Sequence, residues 1–66
     1  MKTRIGQTLV IIEADDEIQD HVLADLSDIL VEREAEGHIL SPDFIRDVAT
    51  DVERMWDRED VRIRVH

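Results

Sequence analysis

The chain contains no cysteine, so it has neither a disulfide nor a thiolate zinc site, and nothing in it reports a redox compartment. It has two glycines, Gly6 and Gly37, which rules out a glycine-rich phosphate loop. Hydroxyl nucleophiles are equally scarce. Ser27, Ser41 and three threonines are the only candidates, and Ser41 is better explained as a helix cap, while Ser27 falls mid-helix with no base nearby. Trp56 and Phe44 are the only large aromatic side chains. No apolar run approaches the ~20 residues needed to span a bilayer. The short stretch from Leu9 to Ile12 after a basic start also lacks the form of a secretory signal, so a cytoplasmic protein is expected.

What the sequence has in excess is acid. Seventeen acidic residues face eight basic ones, a net charge of −9 over 66 residues. The excess is concentrated. Between Glu13 and Glu36 stand ten acids and a single base, Arg33, whereas residues 1–12 carry +2 and residues 37–66 carry −2. Such a chain is repelled by nucleic acid and by anionic membranes, so direct binding to either is disfavoured, apart from local contacts by Arg62 and Arg64. The pairing of many arginines with one lysine has a second explanation. It also arises in salt-adapted or GC-rich proteomes, where acidity adapts the whole surface to its solvent.

Periodicity divides the chain into four predicted elements within a single domain, 1–66. Thr8–Ile12 is dense in β-branched residues and reads as a strand, with Gly6-Gln7 as a bulge or turn before it and Ile5 as an extension. Asp15 or Asp16 then caps a helix, with Gln19 at capping-box spacing. Ile18, Val22, Leu26, Ile29 and Leu30, widened by Leu23, recur at helical steps up to about Glu36, where Gly37 suits the left-handed position after the helix. Ser41-Pro42-Asp43 is a second helix start, with Leu40 placed to staple onto Ile45. Its stripe of Ile45, Val48, Ala49, Val52, Met55 and Trp56 predicts a helix ending near Arg58. Finally, Val61-Arg62-Ile63-Arg64-Val65 alternates as a strand with one apolar face.

The order is β-α-α-β, and the expected fold is a small two-layer α+β domain: a helical hairpin packed on an antiparallel two-stranded sheet. Two strands alone are weak and leave open edges. Joining two copies edge to edge would extend the sheet to four strands, so a homodimer is one way for so short a chain to bury more surface, and a partner could use the same edge instead.

The acids of the first helix carry the functional expectation. Glu17, His21, Asp25, Asp28 and Glu32 follow steps of four, four, three and four, a continuous ridge on the solvent side, with Asp20 and Glu34 elsewhere on the polar surface. Ten acids over a helix of roughly 30 Å approach the linear density of phosphates along one DNA strand, about one per 3.4 Å. Glu17, Asp20, Asp25, Asp28 and Glu32 are therefore the expected partner-binding residues, fitted to a basic nucleic-acid groove on another protein. In the second helix Asp43, Asp47 and Asp51 precede Arg54 and Arg58, the order that the helix dipole favours, which reads as ordinary stabilisation. Trp56 is expected in the core, with an interface anchor as the alternative. Arg62 and Arg64 are candidates for pairing with carboxylates of a dimer mate, or for keeping an edge strand soluble.

The spacing of Glu17, His21 and Asp25 raises a divalent-metal reading, but neither a calcium loop nor His-Glu-x-x-His is present, so no metal or other cofactor is expected. No catalytic set stands out either. In size and charge alone, the chain is similar to the small acidic inhibitors that phages deploy against host defence, including anti-CRISPR and anti-restriction proteins. That resemblance implies a non-enzymatic DNA mimic or groove-blocking inhibitor. The alternative is a structural or regulatory homodimer, an accessory or antitoxin-like protein using its sheet edge, whose acidity is compositional.

Overall fold

Gly6 and Gln7 form a two-residue turn that folds the N-terminus back on the chain. In the computed structural model, which describes all 66 residues, Lys2–Ile5 is a strand of its own, β1, paired antiparallel with β2, Thr8–Glu13. Gly6 sits at φ 63° in the first central position while Gln7 keeps a negative φ, the pattern of a type II′ hairpin turn, which favours glycine there. Met1 and Ile12 lengthen the ladder by exchanging two hydrogen bonds of 2.8 and 3.0 Å. The sheet therefore has three strands rather than the two expected. β3, Arg62–Val65, completes it antiparallel to β2, giving the order β1-β2-β3.

Between β2 and β3 run two helices, α1 (Asp16–Ala35) and α2 (Pro42–Trp56). Asp15 occupies the N-cap position of α1, but its side chain makes no capping bond. Gln19 does not complete a capping box either. Its amide instead donates to the Ala14 carbonyl at 2.8 Å and to the Asp16 carboxylate at 3.0 Å, tying the entry of the helix to its first turn. At the other end Gly37, at φ 96°, closes a Schellman motif in which the N–H groups of Gly37 and His38 donate to the carbonyls of Glu34 and Arg33. The link that follows is braced by His38 stacked on Phe44, with ring centroids 5.1 Å apart. Ser41 caps α2 by accepting the Phe44 N–H at 3.2 Å. This helix stops at Trp56, earlier than the expected Arg58, because Asp57 turns left-handed at φ 50°.

Both helices lie on one face of the sheet, α2 over β3 and α1 over β2. Eleven side chains close the core: Val10 and Ile12 from β2, Val22, Leu26 and Leu30 from α1, Ile45, Val48, Ala49 and Val52 from α2, and Val61 and Ile63 at β3. Each of the ten larger ones contributes about 1.5–3 kcal/mol by leaving water, and the Ala49 methyl less. Leu40 packs against this cluster as the staple spacing predicts, and Trp56 covers its margin half-buried. Met55 does not belong to it. Although its spacing suits the stripe, it is 62% exposed, because the stripe has turned past the sheet by the last turn of α2.

The two sheet edges differ. On β3, the outward N–H of Ile63 donates to the Glu53 carboxylate at 3.3 Å, and the outward carbonyl of Val65 accepts from Arg46 at 3.5 Å. Side chains of α2 thus protect that edge. No side chain does the same for β1.

Candidate functional site

Burial of Val22, Leu26 and Leu30 fixes which side of α1 faces solvent. At about 100° per residue the outer surface reads across as Glu34, Asp20, Val31, Ala24, Glu17, Asp28, His21 and Glu32. Glu17, Asp28 and Glu32 stay together as a ridge with His21, all exposed. Asp20 and Glu34 form a second acidic flank, and Ala24 and Val31 run between the two. Val31 is 67% exposed. Glu17, Asp20, Asp28 and Glu34 accept no hydrogen bond from a side chain and lie in no ion pair. Glu32 is only 4.0 Å from Arg33, whose guanidinium is committed to Glu36 at 2.6 Å. That hydrogen bond, and then the charge of Glu36, raises the Arg33 pKa further above its ordinary value.

Asp25 leaves the ridge. It is half-buried at the seam between the helices, where its carboxylate accepts the Trp56 indole N–H at 3.0 Å. The bond accounts for both residues: a tryptophan at a core margin needs a partner for its one donor, and the seam supplies a carboxylate. Glu17, His21 and Asp25 do not converge, and no group of three or more His, Asp or Glu side chains is arranged to hold a metal ion.

Most charges on α2 are matched, although Asp47, and Asp57 and Glu59 just beyond its end, have no partner. Arg46 pairs with Asp43 at 3.0 Å and Arg54 with Asp51 at 3.8 Å. Arg58 grips Asp60 through two hydrogen bonds of 2.9 and 2.7 Å and lies 3.7 Å from Asp15. The Arg58 hydrogen bond holds the Asp60 carboxyl below its ordinary pKa. Beside this end of α2 is an open hollow of about 380 Å³, lined by charges of both signs that include Glu53, Arg54, Arg58 and Glu59. Its one hydroxyl, on Thr50, is already donated to the Arg46 carbonyl at 3.1 Å.

A second charged surface, only partly legible in the sequence, lies on the open face of the sheet. Register places Lys2, Ile11 and Arg64 in one row across the open face of the sheet and Arg4 beside Leu9 in the next, with Glu13 opposite Arg62. The His66 N–H bonds the Leu9 carbonyl at 2.9 Å and continues the second row. Arg62 and Arg64 do share a face, as their alternation requires. Lys2 and Arg4 join them only because β1 exists. This face carries four bases against one acid, Glu13, which Arg64 holds at 2.6 Å. The other sixteen acids share the rest of the molecule with four arginines, a charge of −12. Two-residue alternation in Lys2-Thr3-Arg4-Ile5 was the available signal.

No family model matches the chain, and no curated protein or solved structure is significantly similar to it. No helix is long and apolar enough to cross a membrane.

Proposed function

We propose that this is a non-enzymatic binding protein that docks the outer face of α1 on a basic, nucleic-acid-binding surface of a partner protein and blocks it. One observation carries the reading. Glu17, Asp20, Asp28 and Glu34 stand unpaired together on the exposed face of α1, whereas of the four acids on α2 only Asp47 lacks a partner. Like charges at helical i,i+4 spacing, such as Asp28 and Glu32, cost a few tenths of a kcal/mol. A basic partner would convert that cost into contact energy. In mode of action this is a DNA mimic, the inhibitory strategy of phage anti-defence proteins, acting in the cytoplasm on nucleic-acid machinery.

The test is displacement of labelled duplex DNA from a panel of basic DNA-binding proteins, read by fluorescence anisotropy. Wild type displaces DNA from at least one of them at about 0.05 M salt and loses most of that ability at about 0.3 M. A Glu17→Lys/Asp28→Lys/Glu32→Lys variant, folded by circular dichroism, fails to displace it. Asp25 is left intact because it also holds Trp56. Equal displacement by the variant would sink the proposal.

A second reading, a homodimer joined through the sheet, is favoured by the unprotected edge of β1. That edge borders a groove of about 190 Å³ lined by Ile5, Leu30, Val31 and Leu40 among others. Sedimentation separates the two: a closed dimer indifferent to charge reversal on α1 supports the edge reading.

A further inference from the structure

The open face of the sheet is built like a trough. Its rims are cationic, with Lys2 and Arg4 on β1 and Arg62 and Arg64 on β3. Its floor is Leu9 and Ile11 of β2, both only half-buried. The floor ends at Glu13, which already occupies Arg64 and leaves Lys2, Arg4 and Arg62 as the free rim cations. Strands pair at about 4.8 Å, so the rims stand roughly 10 Å apart, the width of an α-helix with its side chains. Neither Lys2 nor Arg62 has a partner within the chain.

The outer face of α1 has the opposite relief. Ala24 and Val31 run along its middle, with Asp28 and Glu32 on one side and Glu34 on the other. Acids four residues apart on a helix are about 6 Å apart, and rim cations two residues apart on a strand about 6.6 Å. The match is in sign, spacing and apolar centre together. We infer that the sheet trough of one copy receives the Ala24–Glu34 stretch of α1 from a second copy, with Val31 seated on Leu9 and Ile11.

Nucleic acid suits the trough less well. The floor offers no aromatic on which a base would stack, and a charge of −12 lies behind it in a molecule only 16 Å across its shortest dimension. Because the two mating surfaces differ, the contact is head-to-tail and each copy leaves one trough and one helix free. Association therefore continues past the dimer, into a filament or, where the rotation between copies closes, a ring. It also has an unusual salt dependence. Two chains of −9 repel at about 0.01 M salt, where screening reaches ~30 Å, while at about 1 M even contact pairs are screened. Assembly peaks between these limits, near 0.15 M.

The inference does not rest on the inhibitor reading, and its test needs no external partner. Sedimentation equilibrium of the whole chain at about 1 mM should give a mass that climbs above 7.7 kDa with no plateau at the dimer, and falls in both low and high salt. A trough variant, Lys2→Gln/Arg62→Gln, and a helix variant, Asp28→Asn/Glu32→Gln/Glu34→Gln, should each stay monomeric. None of these five side chains has a well-formed internal partner to lose, so both variants fold. Mixed together they regain one intact contact and form a 1:1 dimer that grows no further. A wild type that stays monomeric at every salt concentration overturns the inference. So does a closed dimer that both variants retain, or binding of a duplex oligonucleotide that the trough variant abolishes.

Discussion

One hydrogen bond takes Asp25 out of the acidic ridge and makes it a structural residue. Its carboxylate accepts the indole N–H of Trp56 at 3.0 Å, at the half-buried seam between α1 and α2. Replacing the acceptor leaves that donor without a partner and partly out of water, which costs about 1–2 kcal/mol. Asp25→Ala should therefore shift urea unfolding, followed on the emission of the single tryptophan, to lower denaturant. Asp25→Asn, which keeps an acceptor oxygen, should recover most of the loss. Coincident unfolding curves for Asp25→Ala and wild type would mean that the bond contributes nothing. Spacing alone could not reveal this role. Asp25 lies at the border of the polar arc, and the position of Trp56 depends on how the two helices cross.

At the scale of elements, the helices use their charges differently. α2 is stabilised by its own ion pairs and by its Ser41 cap, and it also braces the edge of β3 through Glu53 and Arg46. α1 has an uncapped side chain at its start, a Schellman closure at its end and an outer face left unpaired. Its place is held by burial of Val22, Leu26 and Leu30. Leu26→Ala should then remove about 2–5 kcal/mol, a large share of the roughly 3–10 kcal/mol available to a domain of this length. Met55→Lys, at an equally helical position of the predicted stripe, should change stability by less than about 0.5 kcal/mol. Thermal melts of the two variants decide between a stripe that is core throughout and one that ends at Val52 and Trp56. A large loss on Met55→Lys would contradict the 62% exposure of that side chain.

For the whole molecule the dominant fact is segregation of charge, basic on the sheet's open face and strongly acidic everywhere else. The acidic remainder repels itself, so added salt should stabilise the fold. Raising sodium chloride from about 0.01 to about 0.5 M should lift the melting temperature by several degrees, since about 1 kcal/mol moves it by ~4–8 °C in a domain of this size. The chain should nevertheless stay folded at the lower concentration, because its core is apolar and closed. Loss of helical circular dichroism there would favour acidity as an adaptation to salt, and an unchanged melting temperature would show that the repulsion is negligible.

The sequence by itself determined both helices, the central strand, the last strand and nearly all of the core, because period 3.6, period 2 and cap residues act locally. It also located the acidic stretch and the shared face of Arg62 and Arg64. Tertiary structure alone decided three things. β1 is only four residues long and half charged, so it is a strand by virtue of the backbone bonds that β2 offers it. Asp25 is withdrawn from the ridge by the Trp56 indole that α2 sets beside it, and Met55 is left out of the core because the stripe has turned past the sheet by the last turn of α2. The basic trough needs residues from both ends of the chain side by side, and only the register of three strands brings them there.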